Sequence, residues 1–348
     1  MIEFLSLKPE AFGLDISDLS LRIVKLKKRG RFFRLASWGG AKIKPGIVEQ
    51  GEIKKEDALA EIIKQAIANV KGEKIKTKYL IASLPEKKAF LQVIKMPKME
   101  EEELKTSVPF EAENHVPLPI EKVYLDFQVI PSSNQSDRLD VLIAALPKKT
   151  VDPYISCFRK AGLTPIALEV ESQSIVRAVV KNEITPFPLL IIDFGKNTTS
   201  FIVFSGYSLR FTSSDSISSQ GLTEIISKTL KLSLDEAEKL KLKHGLKDGK
   251  ALKAMTPLLV NLMGKAKKCI NYHRSRNGEI KKILLCGKGS NLKGLSDFVF
   301  SELKVTVELA NPWINVLPEP LKEVPELPFK GSLGYTTALG LALRGIKK

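Results

Sequence analysis

Two short segments carry the residues best suited to chemistry. In FGLDISDLSLRIVKL, Asp15 ends a short apolar run, and a polar turn at Ser17 and Asp18 precedes the next apolar positions at Leu21, Ile23, Val24 and Leu26. In LLIIDFGKNTTSFIVFSG, Asp193 occupies the matching place and is followed by Gly195, Lys196, Asn197, Thr198 and Thr199. A tight turn between two strands leaves backbone N–H groups that can cradle phosphate oxygens, and small hydroxyl residues add donors. An aspartate at each strand end, Asp15 and Asp193, suits a hydrated Mg²⁺. A third segment, Gly287, Lys288, Gly289 and Ser290, follows the apolar run Ile283 to Cys286 and enters a helical pattern, as a turn does where it meets a nucleotide. Each turn alone also serves to close a hairpin for steric reasons. The pairing of the two aspartates is what favours a polyphosphate with a divalent cation.

Other chemistries lack their parts. Cys157, Cys269 and Cys286 are far apart with no C-x-x-C pair, so neither a disulfide framework nor a zinc site is indicated, and reducing cytosol is the expected compartment. His115, His244 and His273 are scattered along the chain and make no cluster of metal-ligating residues. No G-x-S-x-G elbow presents a serine nucleophile. The N-terminus has no signal-peptide pattern, and no apolar run approaches the ~20 residues needed to cross a bilayer, so neither export nor a transmembrane segment is expected. The net charge of +16 would attract nucleic acid or an anionic membrane. The excess is mostly lysine spread along the chain without interleaved aromatics, which argues for general lysine enrichment and against specific nucleic-acid binding.

The turns need elements to hold them. At 348 residues the chain suits two domains of ordinary size. Each aspartate turn reads as strand, turn, strand. Asp15 and Asp193 lie about half a chain apart, so a duplicated domain with its acidic turns facing across a cleft is the economical architecture. Between them, YLIASLP, AFLQVIKMP, VYLDFQVI and RLDVLIAALP read as strands, and MEEEELKTSVPFEAENHV and VDPYISCFRKAGL as helices, giving a small α+β unit. The first helix repeats Leu104, Val108 and Ala112 on one face behind an acidic first turn. Pro109 inside it predicts a kink or break unless tertiary contacts compensate, since an interior proline costs ~3 kcal/mol. Pro117, Leu118 and Pro119 form a rigid exit. Farther on, GLTEIISKTLKLSLDEAEKLKLKHG has helical periodicity with Leu240, Leu242 and Leu246 on its apolar side, and Leu252 to Arg274 makes another helix. LPEPLKEVPELPFKG is loop. Tyr335 to Arg344, with the small residues Ala338, Gly340 and Ala342, reads as a closely packed terminal helix.

FGLDISDLSLRIVKL, PFEAENHVPLPIEKVYLDFQV, IDFGKNTTSFIVF, LDEAEKLK, ILLCGKGSNLKGL and TALGLALRG together resemble the PilM family of type IV pilus assembly proteins, within the actin-like ATPase superfamily. The resemblance covers about residues 12–346. It implies an α/β, actin-like fold of two ribonuclease H-like lobes with an inserted small α+β subdomain. The first lobe would span 1–77 with 167–186 and 334–348, the insert 78–166, the second lobe 187–222 and 283–333, and a helical subdomain of that lobe 223–282. It further implies ATP with Mg²⁺ in the cleft, with Ser20 and Arg22 following the first turn and Glu238 and Lys241 flanking the ribose. Family members bind the cytoplasmic N-terminal peptide of PilN, a membrane protein, and connect through it to PilO and the pilus motor. The resemblance therefore implies a cytoplasmic scaffold, peripheral at the inner membrane, with weak ATPase activity at most.

Three departures touch the nucleotide. The family carries glycine where this chain has Ser17, Ser218 with Ser219, and Lys288, and each glycine there serves close backbone approach or positive φ. Lys196 and Lys288 can replace lost backbone contacts with charge. Two other superfamily roles stay open, a small-molecule kinase and an FtsA-like membrane filament, though the latter needs an amphipathic C-terminal helix that the Gly345 to Lys348 ending does not supply. A GspL-like secretion component would continue into a transmembrane span. For the partner, Phe110, Glu111, Val116 and Leu118 beside the expected kink would border a groove against the first lobe that takes an extended peptide. The alternative is that PFEAENHVPLP only shapes the insert.

Overall fold

The computed structural model describes residues 9–131, 137–247, 249–318 and 325–347. Residues 319–324 of the proline-rich stretch expected to be loop lie outside these, as do residues 1–8, and the described end of that stretch, expected as loop, enters a short helix at Phe329 because Pro328 can precede a first helical turn.

Alternating burial makes the first three strands. In β1 (Phe12–Ser17), β2 (Ser20–Arg29) and β3 (Phe32–Lys42), apolar positions such as Phe12, Leu14, Ile16, Leu21 and Ile23 are buried, and the strands pair as an antiparallel meander. The short β4 (Val48–Glu49) and β5 (Glu52–Ile53) form a small hairpin before α1 (Glu56–Ala68), and β6 (Lys71–Gly72) closes one edge of the sheet. β7 (Tyr79–Leu84) is nearly all buried and pairs parallel to β1. Next come β8 (Phe90–Pro97), α2 (Glu101–Ala112), β9 (Val123–Ile130), β10 (Arg138–Pro147), α3 (Lys148–Lys160), β11 (Thr164–Val170) and α4 (Glu171–Val179). The first sheet has the order β11-β7-β1-β2-β3-β6.

The same plan recurs. β12 (Thr185–Phe194), β13 (Thr199–Gly206) and β14 (Ser208–Asp215) form a second antiparallel meander. After the helices α5 (Ser219–Leu230), α6 (Leu234–His244) and α7 (Gly249–Asn277) come β15 (Lys282–Cys286), α8 (Leu295–Leu303) and β16 (Thr306–Leu309), then α9 (Phe329–Ser332) and α10 (Thr336–Lys347). β15 joins β12 in parallel and β16 joins β15, so the order β14-β13-β12-β15-β16 repeats β3-β2-β1-β7-β11 of the first lobe. The duplication inferred from Asp15 and Asp193 is thus a duplication of five-strand topology.

Several local expectations are corrected. Tyr79–Leu84 and Lys148–Lys160, expected inside the insert of 78–166, belong with the first lobe. The former lies between β1 and β11, and α3 shares the apolar core of α1 through Val151, Tyr154, Cys157 and Phe158. The separate unit is the three-stranded sheet β8-β10-β9 with α2 on one face. α2 runs unbroken through Pro109, because burial of Leu104, Val108 and Ala112 against Ile94, Met96, Val141 and Ile143 outweighs the lost backbone bond. The helical pattern after residue 220 divides into α5 and α6. Lys231 takes a left-handed conformation, and Ser233 starts α6 with a capping box to Glu236. Leu242 is exposed, and Ala237 and Lys241 are the buried positions of α6.

The lobes meet at α4 and α10. One core joins Val24 and Leu26 of the first lobe, Ile191, Ile202 and Phe204 of the second, and Ile175, Val179, Ala338, Leu339 and Leu343 of the two helices. A Cβ on Gly340 would stand 1.8 Å from the Ser174 carbonyl oxygen, and one on Gly13 would stand 2.4 Å from that of Ala338. Between the helices Glu169, 1% exposed, takes hydrogen bonds from Ser174, Arg177 and Arg344. Burial opposes its charge, but the two guanidinium groups prevail and hold its carboxyl below the usual range. Because backbone blocks the Cβ at 340, Gly340→Ala should lower stability by about 3 kcal/mol. Gly264→Ala, in α7 with nothing within 4 Å of its Cβ, should raise it by up to ~1 kcal/mol. Urea midpoints of both variants check the opposite signs.

Candidate functional site

The first hairpin brings Asp15 opposite Arg22. Ser83 Oγ, from β7, donates to Asp15 Oδ1 at 2.8 Å. Arg22 stacks over the Tyr335 ring, 5.3 Å from its centroid, and donates to the Leu21 carbonyl. Ser17 spends its hydroxyl inside the turn, donating to the Ser20 carbonyl at 2.9 Å with the two Oγ atoms 3.1 Å apart. Asp18 does not serve the cleft as expected. Both its oxygens accept backbone N–H groups, from Gln50 at 3.0 Å and Gly51 at 2.9 Å, holding a turn whose φ values are positive.

The second hairpin is knitted to its neighbours. Asp193 Oδ1 accepts the Cys286 thiol at 3.7 Å, and Gly195 N–H bonds to the Thr198 carbonyl at 3.0 Å. The carbonyls of Gly195 and Lys196 accept the N–H groups of Ser219 and Gln220, and Ser218 Oγ caps Gly221. Three donors at the start of α5, the kind a helix offers to an anion, are therefore satisfied within the chain. Gly287 has φ +80°, and a Cβ there would lie 2.3 Å from Asp193 Oδ1; one on Gly289 would lie 2.6 Å from the Phe194 carbonyl. The two glycines allow the loop after β15 to lie directly on the Asp193 turn. Ser290 Oγ turns inward to the Cys286 carbonyl, while Lys288 is exposed. Lys241 is 3% exposed and donates to Ser219, Thr223 and Glu238. Burial opposes the Glu238 charge, but bonds from Lys241 and Thr223 hold its carboxyl below the usual range. The buried Lys241 and the half-exposed Glu238 thus form one polar network with α5.

Like charges sort into two layers. Burial pushes Asp193 up to about 7, with Asp15 adding repulsion. Burial also raises Asp15, against the Ser83 hydrogen bond and Arg22. Glu171, at the start of α4, is raised well above the usual range by burial and then by Asp15, Glu86 and Asp193. Glu86 is buried with Oε2 on the Ser172 N–H and Oε1 without a hydrogen-bond partner. Sequence reasoning missed Glu171 and Glu86, since a glutamate at a helix start reads as an ordinary first-turn acid. Around this acidic floor stand Arg22, Lys42, Lys196 and Lys288; burial and then Lys42, Lys288 and Arg22 lower Lys196. The arrangement suits a polyphosphate on the cations and a divalent ion beside Asp15 and Asp193. The buried Asn197 Oδ1, without a partner, adds an unused acceptor. Among the described residues no group of three or more His, Cys, Asp or Glu could ligate a metal by itself, so such an ion would keep waters or phosphate oxygens.

The residues expected for a protein partner disperse. Val116 is in the core of the insert, Glu111 bonds His115, and Phe110 and Leu118 are exposed, Phe110 at 74%. The groove against the lobes opens elsewhere, on the sheet face opposite α2. It measures about 470 Å³ and is lined by Asp126, Gln128 and Ala144 of the insert, Gln173 and Arg177 of α4, and Tyr207 at the β13–β14 turn. None of the four expected residues lines it.

A family model described as type IV pilus assembly protein PilM matches residues 13–346. A solved PilM-PilN type IV pilus biogenesis complex is similar over 98% of this chain and 100% of that one, with 27% identity and a TM-score of 0.84. The ethanolamine utilization protein EutJ from Carboxydothermus hydrogenoformans shares 13% identity over 99% of this chain and 93% of its own, with a TM-score of 0.57. MreB5 of Spiroplasma citri bound to AMPPNP shares 12% over 96% and 95%, with a TM-score of 0.53. The last two likenesses speak for the fold.

The raised carboxyls make a signed prediction. An acid whose folded pKa exceeds its unfolded value of 3.8 prefers the proton in the fold, so the stability it contributes is full below about pH 4 and lost as pH climbs toward about 7. Without divalent cations, wild type should lose stability between pH 5 and 8. Asp193→Asn should lose about 2 kcal/mol less over that interval and converge with wild type near pH 4, as urea titrations at each pH will read.

Proposed function

The chain belongs to the family of type IV pilus assembly proteins PilM, and we propose that it acts as a cytoplasmic actin-like scaffold peripheral to the inner membrane. It binds the cytoplasmic N-terminal peptide of a PilN-like protein, which links it indirectly to a PilO-like protein and the pilus motor. The observation that carries this reading is the groove between the insert and the lobe helices. Strand β9 is an edge of the insert sheet, and three of its residues, Asp126 to Gln128, line the groove, so an extended peptide can add main-chain hydrogen bonds there. Ala144, Val176 and Leu209 offer apolar wall, and Arg177 and Arg344 on its lining are balanced by two acids, Glu169 paired with both and Glu183 paired with Arg177. That combination favours an uncharged, apolar tail. Among the described residues no helix is long and apolar enough to cross a membrane, so recruitment by a membrane partner fits the part described.

The cleft is proposed to hold ATP with Mg²⁺ and to turn it over poorly. Arg22, Lys196 and Lys288 would face the phosphates, Asp15 and Asp193 the hydrated metal, and Gly287 with Gly289 the nucleoside. The bound metal would supply charge neutralisation between the two aspartates. Slow hydrolysis follows from three features of the chain. The Ser17 hydroxyl is folded into its own turn, the first donors of α5 are taken, and Glu171 is pushed toward its protonated form, which disfavours it as a base. Calorimetry should show ATP binding that an Asp15→Ala, Asp193→Ala double variant abolishes, with hydrolysis well below about 1 per second. Turnover at or above that rate, lost in Asp193→Ala, defeats the slow-scaffold reading.

For the partner, a labelled PilN-like N-terminal peptide titrated by anisotropy should lose at least tenfold in affinity on Ala144→Trp, which fills the groove, and on Tyr207→Ala. Phe110→Ala and Leu118→Ala should bind as wild type. The reverse pattern would move the partner to the exposed face of α2, the second reading, which the 74% exposure of Phe110 favours.

A further inference from the structure

Half of the net +16 charge sits in two stretches of eight residues. Positions 27–34 and 71–78 hold nine lysines and arginines against one acid, Glu73. The fold stitches the stretches side by side. Glu73 N–H donates to the Ala36 carbonyl at 2.8 Å, Ser37 Oγ donates to the Glu73 carbonyl at 2.6 Å, and the Glu73 carboxylate takes Lys27 and Arg34, each at 2.5 Å. The β2–β3 hairpin closes at Gly30, φ +61°, with Arg29 opposite Phe32. Phe33 N–H is pinned to the Val316 carbonyl at 3.0 Å and its ring packs toward the interlobe core. Strand alternation therefore sends Phe32 the other way, where it is 44% exposed. In the irregular segment 73–78 Ile75 turns inward and Lys74, Lys76 and Lys78 are exposed. Among the described residues Lys28, Arg31, Lys74 and Lys76 make no ion pair, so their charge is available to a partner.

The geometry points to this hairpin tip and its flanking lysines as a surface that docks on an anionic phospholipid bilayer, with Phe32 entering the headgroup layer. This surface is independent of the peptide groove and of the nucleotide cleft. Charge complementarity selects an anionic partner, and the shape selects a membrane. One aromatic side chain projects from a convex turn ringed by long basic stems, an arrangement that sinks an apolar tip while the cations stay at phosphate level. A single-stranded nucleic acid would instead want several rings along a groove. Each cation near the leaflet adds about fivefold to binding, so a cluster of this size anchors without any spanning segment.

The test is flotation of the full chain with vesicles of phosphatidylcholine containing phosphatidylglycerol, against pure phosphatidylcholine. Binding should appear only with the anionic lipid and fall as salt rises from about 0.1 M to about 1 M, where the Debye length shrinks from about 10 to about 3 Å. Phe32→Ala and the pairs Lys28→Glu with Arg31→Glu and Lys74→Glu with Lys76→Glu should each lose tenfold or more. The pair Lys253→Glu with Lys268→Glu, exposed on α7, removes the same charge elsewhere and should change binding less than threefold. A Phe32→Trp variant should show a blue-shifted extra emission on anionic vesicles. No flotation of wild type, equal loss in the α7 pair, or an unshifted emission from the Phe32→Trp variant would each overturn the proposal. So would tighter binding to a DNA duplex that the hairpin variants abolish, which would make the patch a nucleic-acid surface.

Discussion

The two-lobe arrangement depends on how closely α10 can lie against β1 and α4. At Gly340 the helix axis approaches the Ser174 carbonyl so nearly that no side chain fits, and at Gly13 the strand does the same for α10. That closeness lets a short helix seal both lobes into one core, with residues of both meandering sheets meeting Leu339 and Leu343. It also brings Arg344 to Glu169 beside Arg177. A carboxylate at 1% exposure is tolerable only because two guanidinium groups and a hydroxyl reach it, and removing any of them would leave the buried charge less well compensated.

Once the lobes are fixed, the cleft acquires its electrostatic character without further design. The hairpin ends deliver Asp15 and Asp193, the helix that follows β11 delivers Glu171, and the turn after β7 delivers Glu86. Burial opposes the charge on all four acids, and repulsion from neighbouring carboxylates adds to it at Asp193 and Glu171, which is why their protons are held so tightly. At the mouth, burial lowers Lys196 and repulsion from Lys42, Lys288 and Arg22 adds to it. A ligand with both signs of charge, anionic phosphates and an accompanying cation, relieves both repulsions together. The same geometry withholds the backbone donors of α5, so the side chains take a larger part in holding an anion.

The insert stands apart from this logic. Its α2 face is closed by Leu104, Val108 and Ala112, while its other face carries Leu142 into the interlobe core and leaves the neighbouring Ala144 on the groove. Period-two alternation in β10 thus turns Val141 and Ile143 to the α2 core and Leu142 and Ala144 to the opposite face.

Much of this was legible in the sequence because it is local. The aspartate turns, the matched strand pairs, the apolar stripe of α2 and the small residues of α10 each follow from periodicity or residue size within about a dozen positions. The resemblance of the motifs to the pilus family pointed to the same fold. What sequence could not carry is whatever depends on non-local partners. Parallel pairing placed Tyr79–Leu84 beside β1 and took it from the insert, because a wholly apolar strand carries no mark of which sheet will cover it. Asp18 went to the backbone of Gln50 and Gly51, and Lys241 went inside with Ser219 and Thr223, though both read as cleft residues. Glu171 and Glu86 joined the acidic floor from elements that look ordinary in one dimension. Side-chain type was set by the chain alone, whereas the company each charge keeps was decided by packing, since Coulomb and desolvation energies depend on distances that only the folded lobes define.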